Sequence, residues 1–306
     1  MDKILEIKGY ILRLFETNEK VMKPLLKFVL CFIAVLIMGI SLGNNHILAN
    51  PIMMIVIGAV CAFLPKNIDV LVLIVVLLGH LYSLSAEVAL VALALLLVMY
   101  FVYFRFASKY AFVVILLPIL FLIKIPFVVP LVLGVVATPI TILPTIFGVA
   151  IYYIIHLTSA ASGGAQADSA SLAVKAVFAN KESLLVMIVF AAVIVIEYYI
   201  RRSTSKNAPS KAVLLGAAIN LVALLVGFIV IGNANLLSIV FMIAGSIISL
   251  LLAYIIQMAV LPLDYSKTIN TQFEDDDYYY YVKAVPKHSI VKEKVSVKII
   301  NRKSSK

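Results

Sequence analysis

Side chains able to do chemistry are scarce between Leu25 and Leu261 of this 306-residue chain, so their spacing decides what each could do. Glu197 stands four residues before Arg201, the separation at which an acid and a base meet on one helix face. The expectation is a solvated ion pair at the end of an apolar run, supporting its helix by about 0.3 kcal/mol. His46, His80, Glu87, Lys124 and His156 map to one boundary of the apolar runs, where water reaches them and where they could line a vestibule. Three His and a Glu are metal-ligand types. Their separations of 34, 7 and 69 residues give no local ligand spacing, and no metal is assigned. Asn220 is the deepest strongly polar side chain, and an intramembrane amide is expected to hydrogen-bond a neighbouring helix. Gly216, Ala217, Gly227, Gly245 and Ser246 read as positions of close helix contact.

A second kind of site is a break in the backbone. From Pro126 to Leu157 no charged residue occurs, and the centre, Thr138-Pro-Ile-Thr-Ile-Leu-Pro144, resists regular helix because each Pro removes a backbone donor and clashes with the preceding turn. Non-helical backbone at membrane depth is tolerated where protein buries it or water solvates it, and transporters place substrate sites at such interruptions. Pro130, Gly134, Thr138, Pro139, Thr141, Pro144, Thr145 and Gly148 are therefore the candidate substrate path. The bland alternative is a plain turn between two spans.

The elements that must position these residues are membrane helices. The chain is 64% hydrophobic and 13% charged, with a mean hydropathy of +1.13, whereas soluble domains carry about 25% charged residues. Apolar runs fall at 25–43, 47–64, 68–84, 86–104, 109–123, 126–138, 143–158, 183–200, 212–231 and 236–260. A span needs roughly 20 mainly apolar residues. The fold class expected is an all-α polytopic integral membrane protein of about ten transmembrane segments. Its Pro-broken pair at 126–158 either spans twice or is re-entrant. Pro24, Ser85 with Glu87, and Ser108 supply helix-start chemistry before the first, fourth and fifth runs. With a cytoplasmic N-terminus, only Lys124, Lys175 and Lys181 of the 25 Lys and Arg fall in the outer connections. That asymmetry places both termini in the cytoplasm of a plasma membrane of bacterial type.

The two ends differ from the middle. Residues 1–24 form a cytoplasmic segment in which 2–16 is an amphipathic helix, with Ile4, Leu5, Ile11, Leu12 and Phe15 on one face. Residues 25–261 are the transmembrane domain, and 262–306 a cytoplasmic tail, acidic and Tyr-rich before it turns basic. The tail is too short and charged for its own core, and reads as solvated. Its stretches Tyr278–Val285 and Val291–Ile300 favour strand, so Asp275, Asp276, Asp277, Tyr278, Tyr279, Tyr280 and Tyr281 are the candidate surface for a cytoplasmic protein partner. Cys31 and Cys61 lie in apolar runs and read as small hydrophobes. No phosphate-binding loop, serine elbow or paired zinc-protease histidine motif occurs, so neither catalysis nor a cofactor is expected. Nothing points to nucleic acid, and the bilayer is the principal partner. No carboxylate is expected at mid-depth, which disfavours proton coupling. Two readings remain: a permease or transporter-like subunit, and a non-transporting scaffold that recruits a partner through its tail.

Overall fold

The computed structural model describes residues 18–42, 45–104, 108–161, 169–203, 205, 207–232, 235–260, 269–274 and 279–284. The N-terminal amphipathic segment, Asp275 to Tyr278, and the strand-favouring stretch at 291–300 lie outside the described residues.

Helix follows from long runs of apolar residues that leave every backbone group to be satisfied within the segment. Helices α1 (Glu19–Leu42), α2 (Pro51–Phe63), α3 (Lys66–Leu84) and α4 (Ala86–Met99) form the first half. A π-helical turn at Tyr100–Phe104 and a 3-10 turn at Ser108–Tyr110 lead to α5 (Val113–Leu122). The second half contains α6 (Val128–Val136), a 3-10 turn at Pro139–Thr141, α7 (Ile142–Ala161), α8 (Ser169–Phe178), α9 (Lys181–Arg201), α10 (Ala208–Ile231) and α11 (Leu236–Val260). Asn50 caps α2, its side chain accepting from the Ile52 N–H at 2.9 Å with Pro51 at the first helical position. Asn180 does the same for α9 through the N–H groups of Glu182 and Ser183, and Gly232 closes α10 at a φ of 86°.

Every predicted apolar run falls on a helix, but about ten spans is more than the lengths support. Among the described residues, six helices are long and apolar enough to cross a membrane: Lys20–Ile40, Ala86–Tyr103, Pro139–Thr158, Lys181–Arg201, Ala208–Ile231 and Leu236–Gln257. α2, α5 and Ile68–Leu84 of α3 are shorter apolar helices. α6 has nine residues, about 13 Å at 1.5 Å per residue, less than half a hydrocarbon core of about 30 Å. Outward faces remain apolar, as at Ile188, Val226, Val230, Ile247 and Leu251, which suits hydrocarbon and not water.

Local chemistry departs from expectation in several places. Pro24 lies inside α1, which begins at Glu19, and Ser108 opens a 3-10 turn instead of α5. The break in the central stretch is confined to Ala137–Thr141; Pro144 sits in the first turn of α7, where its missing N–H would have had no intrahelical partner. α8 occupies part of the expected outer connection because Ala173, Ala176 and Val177 bury one small-residue face. In the tail, β1 (Ile269–Glu274) pairs antiparallel with β2 (Tyr279–Ala284), Phe273 opposite Tyr280, and β2 lies within the strand-favouring stretch Tyr278–Val285. Tyr279, Tyr280 and Tyr281 are exposed on it.

The centre of the bundle is organised around α6. This short helix packs against α9, α10 and α11, while α7 lies between α5 and α9. Phe127 meets Phe190 edge-on at 6.3 Å, and Gly134, seven residues on, meets Glu197, seven residues on, so α6 and α9 run parallel. Gly216 against Glu197 and Gly227 against Leu185 make α9 and α10 antiparallel. Arg201, Arg202 and Lys211 mark the basic end of the bundle by their places at helix ends.

Candidate functional site

Two features surround α6, one at each of its ends. At the end away from the basic residues lies an open cavity of about 820 Å³, lined by residues of α5, α7, α9, α10 and α11. Its wall is a run of stacked rings: Phe121 on Tyr152 at 4.1 Å, and Tyr152 on His156 at 5.6 Å. Phe228 and Met242 complete the apolar side, and Lys124, His156 and Glu182 contribute charge and polarity. Lys124 adopts a left-handed φ of 63°, rare for a residue with a side chain, in the turn that brings the chain from α5 into α6. Its carbonyl lies against bare Gly245 of α11, where a Cβ would collide with that oxygen. Below the cavity, Phe127, Phe190, Val193 and Ile194 fill the bundle and are buried.

At the other end of α6 its carbonyls run out of helical partners, because the last four C=O groups of any helix have none. Arg201 supplies a donor to one of them and to the residue that follows the helix. Its guanidinium donates from Nη1 to the Val135 carbonyl and from Nη2 to the Ala137 carbonyl, the latter at 2.7 Å. A cation at a helix C-terminus is also favoured by the helix dipole. Arg201 and Tyr198 are further joined face-on, the guanidinium 5.1 Å from the ring centre.

That arrangement overturns the expected Glu197–Arg201 surface pair. Glu197 is fully buried, and neither carboxylate oxygen has a hydrogen-bond partner among the described residues. One turn separates it from Arg201, but the guanidinium points to α6 instead. Glu197 occupies a slot made by two glycines, where a Cβ on Gly134 would lie 2.5 Å from Oε2 and one on Gly216 would overlap Oε1 outright. Only glycine leaves room on both sides. Asn220, one turn beyond Gly216 on the same face of α10, is buried as well, and neither of its amide atoms finds a partner among the described residues.

The expected site residues divide accordingly. Gly134 touches Glu197, and Pro130 is buried one turn earlier in α6. Thr141 and Thr145 direct their hydroxyls to their own backbone, to the carbonyls of Thr138 and Thr141 at 2.9 and 2.8 Å. Gly148 packs on Leu117 and on the Val113 and Val114 carbonyls of α5, while Thr138 is exposed and Pro139 starts the 3-10 turn. Lys124 and His156 share the cavity, whereas Glu87 accepts from the Ala170 N–H on α8 and His46 is exposed at the α1–α2 connection. His80 is not at a wetted boundary: it is fully buried on the face of α3 that also carries Val76, Leu77 and Leu81.

The chain is thus a helical protein built for a bilayer, with a half-length helix between a ring-walled cavity and a buried acid. Comparison of the chain with known protein families, with curated proteins and with solved structures finds no match.

Proposed function

We propose that the protein is a permease-like membrane subunit that admits a small organic solute into the cavity above α6. The observation that carries this reading is the cavity itself. Its volume suits a small ligand, and it combines ring walls with a few polar groups, as ligand sites do. Mixed charge from Lys124 and Glu182 favours a solute with polar and apolar parts over a bare ion. The half-helix and the plug formed by Phe127 and Phe190 lie directly beneath, where a discontinuous helix in a transporter meets its substrate. The distribution of Lys and Arg supports a plasma membrane with both termini cytoplasmic, the cavity then opening outward. On this reading the chain is a carrier and not an enzyme.

Cysteine substitution tests it, in a C31A/C61A background and with a membrane-impermeant thiol reagent. N235C and S238C at the cavity rim should react from outside, and positions between 130 and 148 should react from at least one side. If nothing from 130 to 148 reacts from either side, there is no aqueous path and the permease reading fails. The exposed Tyr279 to Tyr281 on the hairpin support a second reading, a scaffold whose tail recruits a cytoplasmic protein. Deleting 272–306 and repeating an affinity pull-down decides that one, since unchanged partners would end it.

A further inference from the structure

Three helices bring uncompensated polar groups together around α6. Glu197 on α9, Asn220 on α10 and Ser249 on α11 are each at most 1% exposed, and the polar side-chain atoms of all three lack a hydrogen-bond partner among the described residues. Ser246 joins them. Their levels in the bundle follow from fixed contacts. Gln257 of α11 donates to Ser210 of α10 at 3.1 Å, so ten residues along each antiparallel helix from that bond lead to Asn220 and Ile247, between Ser246 and Ser249. Gly216 fixes Glu197 one turn away. Buried polar groups in folded proteins nearly always have partners, and an ionisable side chain inside a membrane helix is expensive enough to point to function.

We propose that Glu197 is a proton-binding site within the bundle, taking up and releasing one proton beside the half-helix. Space selects the ligand. A metal cation needs about six oxygens at roughly 2.0–2.6 Å. Glu197 has glycine backbone pressed against both oxygens, and a proton needs no volume. Charge selects it too. An isolated carboxylate in a low-dielectric interior is penalised by far more than a neutral acid, and a neutral acid needs its proton. Among the described residues, no charged group on the surrounding elements relieves that penalty. α6 and the 3-10 turn after it contain no titratable residue, and the face of α10 turned to Glu197 offers Ala212, Gly216, Ala217 and Asn220. Lys211 of α10 is exposed and donates to Ser205 at 2.6 Å. The buried face of α11 carries Ser246, Ser249 and Gln257, and α7 presents Tyr152 and Tyr153 to the cavity end of α9, beside Phe121. Lys175 on α8 is exposed. On α9 itself Arg201 is turned to the α6 carbonyls. A shift of α6 that withdrew Gly134 would open the slot and expose the acid to water.

The site stands apart from the permease reading, because it can hold a proton whether or not a solute crosses. The test is modification of the full-length protein, in detergent micelles, by dicyclohexylcarbodiimide, an apolar reagent that reacts with protonated carboxyls. The acid proton passes to a carbodiimide nitrogen while the carboxylate oxygen bonds its central carbon. The adduct rearranges to an N-acylurea without losing any group, so the whole reagent mass is added. Peptide mass mapping should place that addition on Glu197, with the rate falling about tenfold per pH unit above the carboxyl's midpoint. E197Q should lose it, E197D should keep it at a reduced rate, and a water-soluble carbodiimide should leave Glu197 untouched. Mapping on the unmodified sequence requires no variant to fold. Labelling of Glu87 and Glu182 but not Glu197, a Glu197 rate independent of pH, or equal reaction with the water-soluble reagent would each overturn the proposal.

Discussion

Asp69 at the start of α3 and Glu197 near the end of α9 are both nearly inaccessible carboxyl groups on apolar helices, and Asp69 Oδ1, like both Glu197 oxygens, has no hydrogen-bond partner among the described residues, yet only Asp69 faces a cation there. Asp69 Oδ2 stands 2.7 Å from Lys27 Nζ, which also donates to the Leu64 carbonyl, so one cation ties α1, the end of α2 and α3 together. Glu197 has two glycines against it and, among the described residues, no cation. A buried charge that keeps its counter-ion holds helices in place, and removing either partner leaves the other stranded. A buried acid packed against glycine, with no counter-ion among the described residues, points to function. The α1–α3 corner is thus a fixed joint, while the α6–α9–α10 contact is shaped around one side chain.

The largest effect expected from breaking this contrast is at the joint. K27M should lower stability by about 3 kcal/mol, the low end for stranding a buried partner, because Lys27 itself is 22% exposed. K27M/D69L should recover most of that loss. Thermal unfolding can be followed through Cys31 and Cys61, which are both buried and become reactive to a thiol dye as the fold opens. Were the double replacement as unstable as K27M alone, the ion pair would not be what holds the corner.

Filling the slot comes next. G216A places a Cβ where the Glu197 carboxyl lies and should cost about 2 kcal/mol by overpacking. E197A should make room for it, so the double variant G216A/E197A should show a favourable coupling of about 1 kcal/mol in the same unfolding measurement. Simple additivity would mean that Gly216 and Glu197 do not share the space. Slightly smaller is R201A, which strips the Val135 and Ala137 carbonyls of a charged donor at a half-buried helix end. About 1.5 kcal/mol is expected, with partial rescue in R201K, since a lysine can reach one carbonyl but not both.

The joint and the slot were unequally legible in the sequence. Helix positions could be read because a bilayer demands long apolar runs, and α4 starts after Ser85 with Glu87 in its first turn, although the Ser85 side chain makes no capping bond. Orientation of side chains could not. In a soluble helix the buried stripe stands out against a polar face. On α9 the bilayer-facing residues are as apolar as the core, so nothing in the pattern separates Val186, Phe190, Ile194 and Glu197, one buried stripe, from exposed Ile188 and Tyr199. Four-residue spacing to Arg201 then suggested a local pair, because the competing acceptors, the carbonyls ending α6, exist only once Pro139 has broken the chain and the two helices have packed. Gly216 was readable as a close contact, though not what it contacts. Lys27 and Asp69 lie 42 positions apart, with no local spacing to join them.

E197Q should change stability least, by under about 1 kcal/mol, and that small number separates the two acids most sharply. A protonated carboxyl and a carboxamide share shape, neutrality, one acceptor oxygen and a donor, so the glycine slot should take either. D69N removes a charge that Lys27 faces at 2.7 Å, and should cost clearly more in the same measurement. Equal losses would mean that Glu197 is ionised and compensated as Asp69 is, making the slot a second joint. Unequal losses, with Asp69 the larger, are the outcome expected of a Glu197 that sits in the bundle as a neutral acid, free to give up a proton when α6 moves.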